Sequence, residues 1–274
     1  MADDHPILEG LLELVYPTRC VVCEHPGSLL CDEDRAQLAY IDYPSACPRC
    51  GAPFGQLLCT ECMTREGPEQ FAFEAAFCML LYDQRSESLV RAYKDANERR
   101  LAALLAELLS QALPRDWRRW ADYLSWIPAD RLALRRRGFD HMSLIASYLS
   151  EYSGIPSIDL LDKLGRADQR QLSRAERRAN APQLFSIRDS QSAENQPDTL
   201  RRGSSQLVSA QQPEQRGSSH PRSKKQPRTS PHLPKHLLLI DDVFTTGATL
   251  DAAATVLLAA GVQSIRVATI ARVW

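Results

Sequence analysis

The sequence lacks an excess of either charge and lacks any long apolar run. Its 274 residues carry 33 Lys and Arg against 34 Asp and Glu, a formal net charge of −1. This balance excludes a uniformly basic or acidic protein, so any affinity for nucleic acid or membranes would come from local patches. No stretch of eighteen apolar residues is present, so we expect no membrane insertion.

The first residues also lack the basic segment that opens a secretory signal, and Asp3 and Asp4 are acidic. We therefore expect a cytoplasmic protein, in which disulfides are rare. The sequence nevertheless has 8 Cys, and seven of them lie between Cys20 and Cys62. Such crowding predicts metal binding rather than disulfide bonds.

The second cysteine cluster has the spacing of a zinc ribbon. It consists of the pairs Cys47-Pro-Arg-Cys50 and Cys59-Thr-Glu-Cys62. Each CxxC pair forms a tight turn that offers two thiolates, so the four sulfurs can surround a tetrahedral Zn²⁺. Four close ligands leave no open position, which predicts a structural rather than a catalytic metal.

The first cysteine cluster departs from this pattern at one position. It reads Cys20-Val-Val-Cys23 and then Cys31-Asp-Glu-Asp34. A carboxylate can ligate zinc, so Asp34 is the predicted fourth ligand, and His25 is its competitor for that place. The alternative is a packed loop that no longer holds a metal.

Composition divides the chain into two folded regions and an insert. Residues 1–66 form the predicted double zinc ribbon, and residues 70–274 form a predicted α/β domain. Within the latter, residues 189–234 contain 9 Ser, 7 Gln and 6 Pro but no Phe, Tyr or Trp. We expect this insert to be disordered, because it cannot bury enough apolar surface to offset the entropy of ordering. Its net charge of +3 allows a weak nucleic-acid tail, although a solvated insert is the interpretation that we favour.

The α/β domain ends in a strand, a helix and a second strand. Leu237 to Ile240 is a continuous apolar run, as in a strand that is buried on both faces. Residues 249–260 have a helical apolar face, and residues 264–270 are rich in β-formers. Two strands joined by a helix within about 35 residues predict a parallel sheet.

The strongest catalytic signal lies between this strand and this helix. It reads Asp241-Asp242-Val-Phe-Thr245-Thr246-Gly247-Ala248-Thr249. The loop would present backbone N–H groups and three hydroxyls at a helix N-terminus, where the dipole favours an anion. The paired carboxylates lie within reach of the hydroxyls of a sugar whose phosphate occupies the loop. No Gly-Lys-Ser/Thr follows, so the pattern is not that of a Walker loop.

This pattern resembles the phosphoribosyl pyrophosphate (PRPP) motif of type I phosphoribosyltransferases. Further segments resemble the ComF family: a double zinc ribbon, Tyr93-Lys94, Ile127-Pro128 followed by Arg135-Arg136-Arg137-Gly138-Phe139, and the run from Gln169 to Asn180. The resemblance covers about residues 20–272 without the insert. It departs at Asp140-His141, where the family usually has Asn-Gln.

The resemblance implies a type I phosphoribosyltransferase-like parallel sheet, flanked by helices and preceded by the small double zinc ribbon. It implies that PRPP binds with Mg²⁺, with Asp241 and Asp242 as catalytic residues on the ribose hydroxyls. The loop Thr245–Thr249 would hold the 5′-phosphate. The expected further PRPP contacts are Arg135, Arg137, Gly138 and Arg177.

The family also implies a link to competence and DNA uptake, with single-stranded DNA and competence-machinery proteins as partners. Two functions therefore remain open at this stage. One is transfer of a phosphoribosyl group with release of pyrophosphate. The other is a catalytically silent accessory factor that binds single-stranded nucleic acid and is regulated by PRPP. His141 is either an acid–base group or an ordinary surface residue.

Overall fold

Four parallel strands form a central sheet in the order β1-β6-β5-β2. The computed structural model describes residues 17–53, 55, 57–64, 70–164, 181–188 and 233–274. Its strands are Ala75–Leu81 (β1), Tyr123–Trp126 (β2), Leu161–Lys163 (β3), Phe185–Ile187 (β4), His236–Phe244 (β5) and Ser264–Arg272 (β6). β3 and β4 form a separate antiparallel pair.

Helices connect and flank these strands. In chain order they are Asp32–Ala36 (α1), Thr60–Met63 (α2), Gln84–Lys94 (α3), Leu101–Ala112 (α4), Arg115–Trp120 (α5), Arg131–Arg137 (α6), His141–Ser153 (α7), Ala181–Leu184 (α8) and Ala248–Ala260 (α9). A short 3₁₀ helix spans Tyr43–Ser45. The predicted parallel sheet flanked by helices is thus confirmed.

The predicted strand–helix–strand unit is present as β5, α9 and β6, and its two strands pair in parallel. Strand β5 is longer than the apolar run that predicted it. Pairing continues from Ile240 with Ala268 to Phe244 with Arg272, so both carboxylates lie inside the strand rather than after it. The polar pair is tolerated there because it lies near the carboxyl end of the sheet, where ligands bind in open α/β folds.

Two further helices have local signals that the sequence analysis did not use. Helix α3 begins with a capping box, in which the Asp83 carboxylate accepts from the Ser86 amide and the Ser86 hydroxyl accepts from the Asp83 amide. Helix α6 begins at an Asp130 cap and ends at Gly138, which has φ +77°. The three consecutive arginines therefore form the last turn of a helix.

The cysteine-rich segment covers the outer edge of strand β1. The Ile41 amide donates to the Met79 carbonyl at 2.9 Å, and the Leu81 amide donates to the Ala39 carbonyl at 2.8 Å. Such pairing removes the exposed donors and acceptors of an edge strand. Cys20, Leu30 and Leu38 belong to the same buried apolar cluster as the sheet and its helices.

The described residues up to Ile187 and from Pro234 onward form one compact unit. Nearly all of the predicted insert, residues 189–232, lies outside the described residues. Within the described residues, no helix has both the length and the apolar character needed to cross a membrane.

Candidate functional site

The site is built around the two carboxylates near the end of β5. The Asp242 side chain is buried, and its Oδ1 accepts from the Val243 amide at 2.8 Å. Asp241 Oδ1 accepts from the Asp242 amide at 2.9 Å. These backbone bonds orient both side chains, so the carboxylates are held in place before any ligand arrives.

Lys94, the last residue of helix α3, forms an ion pair with Asp242 Oδ2. The two residues are 148 positions apart in the sequence. Helix α3 follows β1, which belongs to the same sheet as β5, and its last residue lies at the carboxyl end of β5, where Lys94 meets Asp242. The family resemblance included Lys94 but predicted no partner for it.

His141, the first residue of helix α7, lies between Asp242 and an arginine. Its Nε2 is 3.2 Å from Asp242 Oδ2, and its Nδ1 is 3.0 Å from the Arg137 guanidinium. A guanidinium can only donate, so in the tautomer that satisfies both contacts Nδ1 accepts from Arg137 and Nε2 donates to Asp242.

The neighbouring Asp140 is structural. Its Oδ1 accepts from the amides of Met142 and Ser143 at the start of helix α7, and its Oδ2 accepts from the Ala129 amide. The departure from the family pattern at Asp140-His141 thus leaves a helix cap at the first position. At the second position it leaves a residue that touches the acidic pair.

Burial and neighbouring charges separate the two carboxylates. Burial opposes ionisation of Asp242, but the hydrogen bond from His141 and the charge of Lys94 hold its pKa well below the usual range. Burial and the nearby Asp242 charge raise the pKa of Asp241 to about 7. Burial alone would lower the pKa of Lys94, but Asp242 raises it above its usual value. At neutral pH, Asp242 is thus a fixed anion, while Asp241 can hold or release a proton.

The loop after β5 presents hydroxyls to solvent and packs tightly on its inner side. Thr245, Thr246 and Thr249 are exposed, and Gly247 is buried. Gly247 has φ +75°, and a Cβ built there would lie 2.5 Å from Phe244 Cζ and 2.7 Å from Phe71 Cε1. Glycine is therefore required both by the backbone and by the aromatic side chains behind the loop.

The other predicted PRPP contacts differ in burial and in position. Arg137 is half-buried beside His141, and its Nε is one of the few buried polar atoms of the described residues without a hydrogen-bond partner. Arg135 is exposed on the last turn of helix α6, and Gly138 is exposed and ends that helix. Arg177 lies outside the described residues.

The second cysteine cluster has the geometry of a closed metal site. The sulfurs of Cys47, Cys50, Cys59 and Cys62 lie within 4.8 Å of one another, and all four residues are buried. Tetrahedral Zn²⁺ with bonds of about 2.3 Å holds sulfurs about 3.8 Å apart. A hydrogen bond with Cys47 raises the pKa of Cys50 to about 12, so the thiols cannot all ionise without a cation. The donor set therefore fits structural zinc.

In the first cluster, Asp34 completes the donor set. Its Oδ2 lies 3.2 Å from the sulfurs of both Cys20 and Cys31, and the group formed with Cys23 lies within 4.8 Å. The Arg85 guanidinium contacts the other carboxylate oxygen of Asp34 at 3.3 Å. The predicted competitor, His25, is absent from the metal-ligand groups that the described residues form.

Comparison with known families agrees with both parts of this geometry. A family model described as a double zinc ribbon domain matches residues 11–64, and one described as a phosphoribosyl transferase domain matches residues 202–273. No curated protein matches the chain. The chain thus contains a double zinc ribbon domain, whose cysteine clusters support structural zinc, and a phosphoribosyl transferase domain.

Proposed function

We propose that the protein binds PRPP together with Mg²⁺ and transfers its phosphoribosyl group with release of pyrophosphate. The observation that supports this proposal is that Lys94 and His141 contact Asp242 of β5, beside a hydroxyl-bearing loop. Arg137 joins the group through its contact with His141. This arrangement brings together groups that can bind a sugar, a phosphate and a leaving anion. We propose further that the protein is of the ComF type and that its phosphoribosyl transferase domain begins near residue 70.

In this proposal the groups of the site divide the binding of PRPP between them. The exposed hydroxyls and amides of Thr245–Thr249 hold the 5′-phosphate, and Asp241 with Asp242 holds the ribose hydroxyls. The unpartnered Nε of Arg137 donates to an oxygen of the pyrophosphate. Mg²⁺ supplies positive charge to the phosphate oxygens.

The transfer breaks the bond between ribose C1 and the pyrophosphate oxygen, which leaves with the electron pair. A nucleophile forms the new bond to C1 and gives up a proton. The transition state has oxocarbenium character, so the protein acts mainly by positioning the reactants and stabilising the departing charge. Asp241 is a suitable acceptor for that proton, since its pKa is about 7.

The test is isothermal titration of PRPP and Mg²⁺ into the full chain and into variants. We expect Asp241→Asn and Asp242→Asn each to weaken binding at least about tenfold, about 1.4 kcal/mol. Asp116→Asn is the matched control, because Asp116 is exposed on helix α5. Absence of PRPP binding, or equal affinity in both site variants and the control, would overturn the proposal.

A second assay identifies the acceptor. Pyrophosphate release is measured from PRPP with a panel of bases, amines and single-stranded nucleic acids. Release with one member would define the enzyme's substrate. Binding of single-stranded DNA that weakens steeply with salt, without release of pyrophosphate from PRPP, would instead support the accessory-factor function and a role in DNA uptake.

A further inference from the structure

A buried arginine connects the second cysteine cluster to the phosphate loop. Arg272, the last residue of β6, is only 4% exposed. Its Nε donates to the Cys50 carbonyl at 3.2 Å, and its Nη1 donates to the Thr245 carbonyl at 2.8 Å and to the Phe244 carbonyl at 3.3 Å. One guanidinium thus holds a predicted zinc ligand and the first residue of the loop.

The surroundings of Arg272 provide hydrogen-bond acceptors but no counterion. Its acceptors are neutral carbonyls, that of Val273 among them, and no carboxylate of the described residues forms an ion pair with it. Its guanidinium also lies 4.6 Å from the centroid of the Phe244 ring, which adds a cation–π contact. A buried guanidinium without an anion nearby is strongly unfavourable.

The second cluster supplies the missing negative charge when it holds zinc. Four thiolates around Zn²⁺ carry a net charge of −2. Cys50, whose carbonyl accepts from Arg272, is one of these ligands.

We propose that Arg272 couples zinc occupancy of the second cluster to the conformation of the phosphate loop. The zinc-bound thiolates hold the guanidinium in place, and the guanidinium holds the carbonyls of Phe244 and Thr245 from which the loop starts. Zinc in this ribbon therefore acts on the ligand site as well as on the fold of the ribbon. The consequence for PRPP affinity rests on the proposed function, whereas the coupling itself does not.

Hydrogen exchange measured by mass spectrometry tests the coupling on the full chain. Zinc is removed with a chelator, and exchange is compared between the loop amides of 245–249 and the amides of helix α7. We expect exchange in the loop to accelerate at least tenfold and exchange in α7 to stay unchanged. Equal rates in the loop with and without zinc, or equal acceleration in both segments, would overturn the proposal.

Arg272→Lys tests the role of the guanidinium. Lysine keeps the charge, but its single ammonium nitrogen cannot bridge the carbonyls of Cys50 and Thr245 as two nitrogens of the planar guanidinium do. We expect the zinc-bound variant to exchange its loop amides as fast as the zinc-free wild type, and zinc removal to add little. Arg119→Lys, on the exposed side of helix α5, is the matched control. Wild-type behaviour of Arg272→Lys would contradict the coupling, and if this variant does not fold, the zinc comparison in the wild type decides.

PRPP separates this proposal from the proposed function. By thermodynamic reciprocity, a ligand that binds the ordered loop should raise the zinc affinity of the second cluster, measured by equilibrium competition with a chelator. The binding step of that cluster is the one that Cys62→Ser lacks. If PRPP does not bind but zinc still orders the loop, the coupling stands and the proposed function fails. If PRPP binds and the zinc affinity of the second cluster stays the same, the coupling is refuted.

Discussion

Replacing Gly247 by alanine should destabilise the protein by two separable effects. The backbone at this residue is left-handed, with φ +75°, which costs an L-residue about 1–2 kcal/mol. The new Cβ would also lie 2.5 Å from Phe244 Cζ and 2.7 Å from Phe71 Cε1. These rings pack against each other and against Phe73, with centroids 4.5–6.3 Å apart, so they have little room to move.

Forcing a methyl group into such packing typically costs about 1–3 kcal/mol. The free energy of unfolding should therefore fall by about 2–5 kcal/mol in Gly247→Ala. Gly154 offers a matched control, because it has φ +77° and no atom within 4 Å of a built Cβ. Gly154→Ala should show the backbone cost alone.

The measurement is urea denaturation of the two variants and the wild type at one temperature, with the midpoint and the slope fitted separately. The difference between the two alanine variants reports the steric contribution. If Gly247→Ala costs no more than Gly154→Ala, the aromatic rings do not restrict the loop and the reasoning is refuted.

Three other predictions concern the charged groups. Protonated Asp241 contributes stability that is present below about pH 4 and is lost as the pH rises to about 7. In urea denaturation, the free energy of unfolding of the wild type should therefore fall relative to that of Asp241→Asn between about pH 5 and 8. The Asp242 charge helps to raise the pKa of Asp241, so Asp242→Asn should reduce this pH dependence, while burial of Asp241 keeps part of it. A pH slope in Asp242→Asn as steep as that of the wild type would contradict the assignment. His141→Gln keeps a donor for Asp242 and an acceptor for Arg137, so we expect its PRPP affinity to lie within about threefold of the wild type. His141→Ala should lose about tenfold in affinity. Equal affinities of the two variants, measured by calorimetry, would rule out a positioning role. Asp34→Cys should keep two zinc ions per chain, whereas Asp34→Ala should lower the zinc content of the first cluster, as measured by elemental analysis. An unchanged zinc content in Asp34→Ala would exclude Asp34 as a ligand.

Sequence reasoning succeeded where the chemistry lies in a short stretch of chain. The CxxC pairs bring their own sulfurs together, because two residues between cysteines allow only a tight turn. Strand β5, its loop and helix α9 are likewise encoded locally, by an apolar run, a glycine and a helical repeat. Asp241 and Gly247 could therefore be predicted to lie near each other without tertiary information.

Only the tertiary structure decided which distant groups meet this site. Lys94 and His141 are 148 and 101 residues from Asp242, yet both contact the same carboxylate oxygen. Lys94 ends one helix and His141 begins another, and the spacing of residues along the chain does not encode that these two helix ends meet.

Arg272 is the clearest case of a role that only the fold assigns. In the sequence it is one arginine near the end of a strand, with no motif around it. In the structure it lies between Cys50 and Thr245, which are 195 positions apart in the numbering. The sequence by itself determined the metal-binding cysteines and the loop, since each depends on neighbours along the chain. Packing determined how they are joined, because a buried cation takes its partners from whatever the folded chain brings within hydrogen-bonding distance.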